Sequence, residues 1–135
     1  MASALEVSVD YGDGMALFRY LPGGYYTRHH DFIPEFINPT TFRNCGPRVA
    51  TFMAYLTEAD DNDGGETHFI DLGLKVQPKR GRAIVWANTL SEQPLVADER
   101  TAHEAMRVHH GTKISATQWF YQYQYKANRQ RLCCD

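Results

Sequence analysis

Glycine and proline recur too often along this chain to leave room for a long helix: Gly12, Gly14, Pro22-Gly23-Gly24, Pro34, Pro39, Gly46-Pro47, Gly64-Gly65, Gly73, Pro78, Gly81, Pro94 and Gly111. Each marks a turn, because glycine reaches positive φ without steric cost and proline fixes φ and removes a donor. Between them lie short runs rich in β-branched and aromatic residues. Residues 15–21, 48–56, 67–70, 83–87 and 114–125 read as strands, and in the last run Gln118, Phe120, Gln122 and Gln124 recur at a period of two. No window carries a capped i, i+3, i+4, i+7 apolar stripe except weakly near the two termini. Many short strands joined by Gly/Pro turns call for a sandwich, jelly roll or barrel.

Length and charge narrow the class. At 135 residues with 43% hydrophobic and 22% charged residues, the chain reads as one globular domain, long enough to bury a core without disulfide or metal staples. Its net charge of −2 disfavours a dedicated nucleic-acid binder. The most apolar run, residues 49–56, is far shorter than a membrane span, and the first ten residues carry neither the basic nor the apolar region of a signal peptide. Cys45, Cys133 and Cys134 are too few, and odd in number, for a disulfide framework; Cys45 is expected in a loop and the other two at a frayed C-terminus. Residues 33–47 and 88–100 read as long loops, which in a compact domain usually carry function. The acidic run at residues 60–65 has Ala59 where a calcium loop needs its first ligand, so it reads as a solvated turn.

Histidine carries the chemistry, with six copies at His29, His30, His68, His103, His109 and His110. In His29-His30-Asp31, residues i and i+2 of an extended segment project to one side, so an imidazole and a carboxylate can converge on one ion while His30 points away. A second histidine would complete the facial set of two histidines and a carboxylate that suits non-haem Fe(II). His103 is the candidate because it closes the second long loop. His109 and His110 compete on composition, but His109-His110-Gly111 reads as an exposed turn. Lys113 follows His103 by ten residues, roughly 33 Å if extended, so only a reversal at 109–111 brings both toward one site. Lys113 shares strand parity with Ser115 and Thr117 rather than with Ile114 and Ala116, which suits a lysine facing a ligand carboxylate. A zinc hydrolase could use the same three ligands but leaves Lys113 without a role, and no Gly-x-Ser-x-Gly supports a serine hydrolase.

Residues 17–32, Leu-Phe-Arg-Tyr-Leu-Pro-Gly-Gly-Tyr-Tyr-Thr-Arg-His-His-Asp-Phe, resemble the first metal-binding strand and turn of the prolyl 4-hydroxylase branch of the 2-oxoglutarate and Fe(II)-dependent dioxygenases. Similar blocks follow in order: Arg48-Val49-Ala50-Thr51-Phe52 with Tyr55-Leu56; Gly64-Gly65-Glu66-Thr67 with Phe69; Val76-Gln77-Pro78-Lys79-Arg80-Gly81-Arg82-Ala83; and His103 through Gly111-Thr112-Lys113 to Trp119. The likeness covers about residues 15–121, and its ordered combination is specific.

This resemblance implies a mainly β fold, a double-stranded β-helix (jelly-roll) core with few or no helices, making residues 1–135 a single catalytic domain that is minimal or trimmed at its N-terminus. It implies His29, Asp31 and His103 as Fe(II) ligands, Lys113 pairing with the far carboxylate of 2-oxoglutarate, Tyr20 and Thr67 assisting, and Arg48, Tyr26 and Trp119 around a peptidyl substrate. The reaction implied is hydroxylation of a prolyl residue in a peptide or protein, consuming O2 and 2-oxoglutarate, giving succinate and CO2, with ascorbate as reductant. No nucleic-acid partner is expected. The sequence as it stands reads as soluble and cytoplasmic; as a piece of a longer precursor it would also suit the endoplasmic reticulum lumen. Two departures bear on the substrate: Thr27-Arg28 replaces an acidic-Pro pair, and residues 104–108 lack a Cys-Pro after the distal histidine. The same iron site would serve a lysyl or free amino-acid hydroxylase; a nucleic-acid demethylase fits the charge poorly, and that branch and the lysyl branch resemble patterns with arginine at the lysine position. A silent jelly-roll binding module is the alternative of another class.

Overall fold

The computed structural model describes residues 8–132, so the expectation for Cys133 and Cys134 lies outside the described residues. The strands are β1 (Ala16–Tyr20), β2 (Tyr26–His29), β3 (Arg48–Tyr55), β4 (Thr67–Phe69), β5 (Leu74–Val76), β6 (Ala83–Ala87), β7 (Thr89–Leu90), β8 (Gln93–Ala97), β9 (His103–Ala105) and β10 (Lys113–Tyr121). They pair as two four-stranded sheets, in the orders β1-β10-β3-β6 and β2-β9-β4-β5, and a separate β7-β8 ribbon. Every pairing is antiparallel. This is the jelly-roll core that the punctuated sequence and the resemblance both imply.

Strand alternation decides which side chains enter the space between the sheets. Register sets Tyr20 against Lys113 and Phe18 against Ser115 on one side of β10, and Tyr55 against Ser115, Met53 against Thr117 and Thr51 against Trp119 on the other. Trp86 of β6 pairs with Thr51. Because side chains alternate across a strand, these residues share the inner face. Met53, Tyr55 and Trp86 from one sheet bury against Phe69 from the other, with Val76 and Ile84 at the margin; Phe69 and Trp86 meet edge to face at 5.3 Å. Each buried large apolar side chain contributes on the order of 1.5–3 kcal/mol, and here the packing also joins the two sheets.

Two short helices complete the fold. The expected loop at residues 33–47 contains α1 (Pro39–Cys45), started by Asn38, whose side chain accepts from Thr41 N, with Pro39 in the first turn, and ended at Gly46 with φ +74°. Seven residues are too few to show an apolar stripe. Cys45 is accordingly buried at the helix end rather than in a loop. The expected strand at 114–125 stops at Tyr121, where the register shifts. Gln122 and Tyr123 then donate to the carbonyls of Pro47 and Cys45, turning the chain into α2 (Tyr125–Leu132). The second expected loop, 88–100, is largely the β7–β8 ribbon followed by a 3-10 turn, Glu99–Thr101, capped by Asp98. A two-residue strand shows no alternation, and Pro94 hid its partner.

The acidic run closes as a turn, Asp63 N donating to Asp60 O at 2.9 Å. Gly64 follows at φ +73°, and a Cβ there would lie 2.2 Å from the carbonyl oxygen of Arg107. Glycine is required because the turn packs directly on the backbone leading to β10. Among the described residues no helix is long and apolar enough to cross a membrane.

Candidate active site

A cavity of about 520 Å³ opens between the sheets, lined among others by Tyr20, His29, Asp31, Thr67, Trp86, His103 and Lys113. Its metal-competent end follows from strand register. His29 ends β2 and His103 begins β9, and the two are paired residues of neighbouring antiparallel strands. Their rings lie 4.4 Å apart, centroid to centroid. Asp31 lies just past the end of β2, in a bend that returns its carboxylate to within 3.8 Å of His29 Nε2. One ligand atom from each of the three residues falls within 4.8 Å of the others.

The hydrogen bonds prepare those atoms. His29 Nδ1 donates to Thr27 O at 2.8 Å and His103 Nδ1 to Thr101 O at 2.9 Å. Carbonyls only accept, so the neutral tautomer carries its proton on Nδ1 and leaves the Nε2 lone pair for an ion. His103 is buried against Phe69 and Trp86 at 5.4 and 4.9 Å. That burial holds its pKa below the usual imidazole value, against the pull of Asp31, and favours the neutral, ligating form. Two imidazoles and a carboxylate fit Fe(II) with coordination positions to spare. His30 is committed elsewhere: its Nε2 donates to Asp98 O at 2.8 Å and its Nδ1 accepts from Phe32 N at 2.9 Å. His109 and His110 are exposed in the turn before Gly111, outside the cluster.

Lys113 begins β10 and is only 3% exposed. The reversal expected at 109–111 is there, with Gly111 at φ +71°. Among the described residues no carboxylate lies within ion-pair distance of the ammonium, which sits 5.2 and 5.6 Å from the Tyr20 and Tyr55 ring centres. Burial pulls its pKa down to about 8, Glu66 opposing. It stays cationic at neutral pH, so a buried positive charge faces the cavity without a counter-ion, which is costly unless a ligand anion completes the site. Thr67, also buried and lining the cavity, lies 2.7 Å from Tyr55 Oη.

Residues 15–121 match the 2OG-Fe(II) oxygenase superfamily. The chain belongs to that family. Its relatives fall on the prolyl 4-hydroxylase branch: it is 34% identical over 131 residues to prolyl 4-hydroxylase 1 of Arabidopsis thaliana, covering 87% of this chain and 44% of that protein. With prolyl 4-hydroxylase subunit alpha-2 of Gallus gallus it is 32% identical, covering 90% of this chain and 22% of the relative. The viral collagen prolyl hydroxylase of Paramecium Bursaria Chlorella virus-1, solved as its 2OG complex, superposes with a TM-score of 0.70 at 31% identity, covering 82% of this chain and 59% of that one. The chain thus spans less than half the length of these two sequence relatives.

In this member of the family the residues expected around a peptide also line the cavity. The Arg48 guanidinium stacks 4.0 Å above the Trp119 ring, and its Nε donates to Tyr121 Oη at 3.2 Å. Asp13 stands 3.8 Å from Arg48 and is clamped to Trp119 by two hydrogen bonds, Asp13 N to Trp119 O and Trp119 N to Asp13 Oδ1. Tyr26 meets the His29 ring edge-on at 4.2 Å. Thr51, Asn88, Asp13 and Tyr121 were not singled out by the sequence. Thr51 left one usable trace: it is the polar residue at an inward-facing position within the otherwise apolar run 49–54 of β3.

Proposed function

We propose that this chain is the catalytic domain of an Fe(II)- and 2-oxoglutarate-dependent dioxygenase that hydroxylates proline residues in a peptide or protein. Its core is residues 15–121. The observation that carries the reading is the pairing, in one cavity, of the His29–Asp31–His103 donor set with a buried lysine lacking an anion. His29, Asp31 and His103 would hold the iron through Nε2, one carboxylate oxygen and Nε2. Iron held there would supply the dioxygen chemistry that couples decarboxylation of 2-oxoglutarate to succinate and CO2 with insertion of one oxygen atom into a C–H bond.

The chain's own residues do the rest. Lys113 pairs with the distal carboxylate of 2-oxoglutarate, with Tyr20 and Thr67 beside it, and so sets the depth at which the keto-acid end lies. Trp86 and Phe69 wall the His103 side and exclude water. Trp119 Nε1 is buried without an acceptor among the described residues, and a substrate peptide carbonyl would satisfy it. Arg48 and Tyr26 complete the peptide-facing rim, and the relatives' names support proline as the target.

The test has two stages. Anaerobic addition of Fe(II) and 2-oxoglutarate should produce a metal-to-ligand absorption band that is lost in Lys113→Glu; no band in the wild type would sink the oxygenase reading. Aerobic incubation with proline-rich peptides, including collagen-like and hydroxyproline-rich repeats, with ascorbate as reductant, should add one oxygen per product by mass spectrometry. Succinate formation with unmodified peptides would move the substrate away from peptidyl proline.

A further inference from the structure

We infer that Thr51, oriented by Asn88, is a positioning residue that restricts Asp31 to binding metal through one oxygen and thereby keeps a coordination position open for the co-substrate. This deepens, and rests on, the iron-site reading above. The problem it solves is specific to Asp31. His29 and His103 are pinned twice, by strand pairing and by an Nδ1 bond to a backbone carbonyl. Asp31 lies beyond the end of β2, where no ladder fixes it.

What fixes it is a buried relay. Thr51 Oγ1 donates to Asp31 Oδ2 at 2.7 Å, and Asn88 Nδ2 donates to Thr51 Oγ1 at 2.9 Å. Thr51 and Asn88 are both fully buried. A threonine hydroxyl has one proton; Asn88 Nδ2 donates to its oxygen, and of the two acceptors in reach, Asp31 Oδ2 at 2.7 Å and Asn88 Oδ1 at 3.2 Å, the charged carboxylate is the nearer. Asn88 is itself held from two sides, its N–H donating to Val49 O and its carbonyl accepting from Asp98 N, both at 2.9 Å. Oδ2 is thus occupied, while Oδ1 is the oxygen that faces His29 Nε2. A carboxylate with both oxygens free can chelate a cation through both. In a six-position ion, three protein atoms leave three places, and a bidentate keto acid plus O2 need all of them. A second Asp31 oxygen would take one.

The relay is tested with Co(II) as an oxygen-inert probe and with Thr51→Val, Thr51→Ser and Asn88→Ala in the whole chain. In Thr51→Val the Co(II) absorption spectrum should change shape, and 2-oxoglutarate binding to the Co(II)-loaded protein, read by calorimetry, should weaken by roughly 10- to 100-fold, the usual cost of losing a group that supports a ligand. Thr51→Ser keeps the hydroxyl and should restore both. Asn88→Ala frees the hydroxyl to rotate and should fall between. A folded Thr51→Val with the wild-type spectrum and affinity overturns the relay, as does Thr51→Ser behaving like Thr51→Val, since packing rather than the hydroxyl would then be at work. Should Thr51→Val fail to fold, Asn88→Ala decides, and wild-type behaviour there overturns the proposal. Wild-type protein that takes up no Co(II) would remove the iron-site reading itself, a different outcome from uptake that is insensitive to Thr51.

Discussion

At the His29–Asp31–His103 end of the cavity each of the three side chains is tethered by a hydrogen bond, the two histidines to backbone carbonyls and Asp31 to a buried hydroxyl. At the Tyr26–Arg48–Trp119 rim, by contrast, the side chains hold one another: a guanidinium on an indole, a phenol edge against an imidazole, an indole N–H without a partner among the described residues, and Tyr26 left 52% exposed. The first kind of construction orients the donor atoms before any ligand arrives. The second leaves polar groups for a partner to complete. One barrel can therefore keep its chemistry constant while its rim is retuned for different substrates, and the two departures from the family pattern, Thr27-Arg28 and residues 104–108, flank the tethered end without altering its donor atoms.

The comparison breaks hardest at the tethered end. His103→Ala should abolish Fe(II) uptake and 2-oxoglutarate turnover, a loss beyond the roughly 100-fold expected for a residue that only supports a ligand. His110→Ala, in the exposed turn, should leave most of both. Metal titration and succinate release measure the pair, and equal losses would mean that the distal ligand is misassigned.

Lys113→Ala should come next, raising the KM for 2-oxoglutarate by about 10- to 100-fold, as expected for losing a charge-assisted bond, while Fe(II) uptake stays unchanged. The same lysine gives a pH signature. Its folded pKa is about 8 against an ordinary 10.5, so between those values the unfolded chain binds the extra proton and the folded one does not. Stability of the unliganded protein from this group therefore rises with pH across that window and is flat below it. Ligand affinity runs the other way, level below pH 8 and falling above it, because the carboxylate needs the ammonium. Calorimetric affinities that stay flat beyond pH 9 would contradict the assigned counter-ion.

The difference between the two regions also explains what could be read from the residues alone. Strand alternation and Gly/Pro turns are local, so β1, β3, β6 and the reversal before Lys113 were visible, as was the inward parity of Lys113, Ser115 and Thr117. The convergence of His29, Asp31 and His103 was legible only in part from spacing, which pairs the first two, and for His103 rested on the family resemblance. The relay was not: Thr51 and Asn88 are 37 positions apart and meet through the pairing of β3 with β6, and Asp31 reaches them from the end of β2 in the other sheet. The rim stayed partly hidden for the same reason, since Asp13 reaches Trp119 across 106 positions. Helix α1 escaped because its signal lies in its caps, Asn38 and Gly46, rather than in a stripe.

At the rim, Trp119→Phe keeps the ring under Arg48 and deletes the unpartnered N–H. If a substrate carbonyl is its acceptor, the peptide KM should rise by about 2- to 10-fold, the worth of one net hydrogen bond, with the 2-oxoglutarate KM unmoved. A change in both would tie the rim to the tethered end and dissolve the contrast between them.

The smallest effect belongs to Asp13→Asn. The amide oxygen can still accept from Trp119 N, so the clamp on the strand survives and only the charge 3.8 Å from Arg48 is lost. Asp13 is mostly buried and its pKa is raised by that burial, with the bond from Trp119 N and the Arg48 charge opposing; the pair is thus weakened by desolvation. A change in peptide KM of no more than about 5-fold, roughly 1 kcal/mol, is expected, because desolvation of the two mostly buried groups offsets most of their attraction. A larger loss would show that Arg48 depends on Asp13 for its position over Trp119, and that the rim is as firmly preset as the metal end.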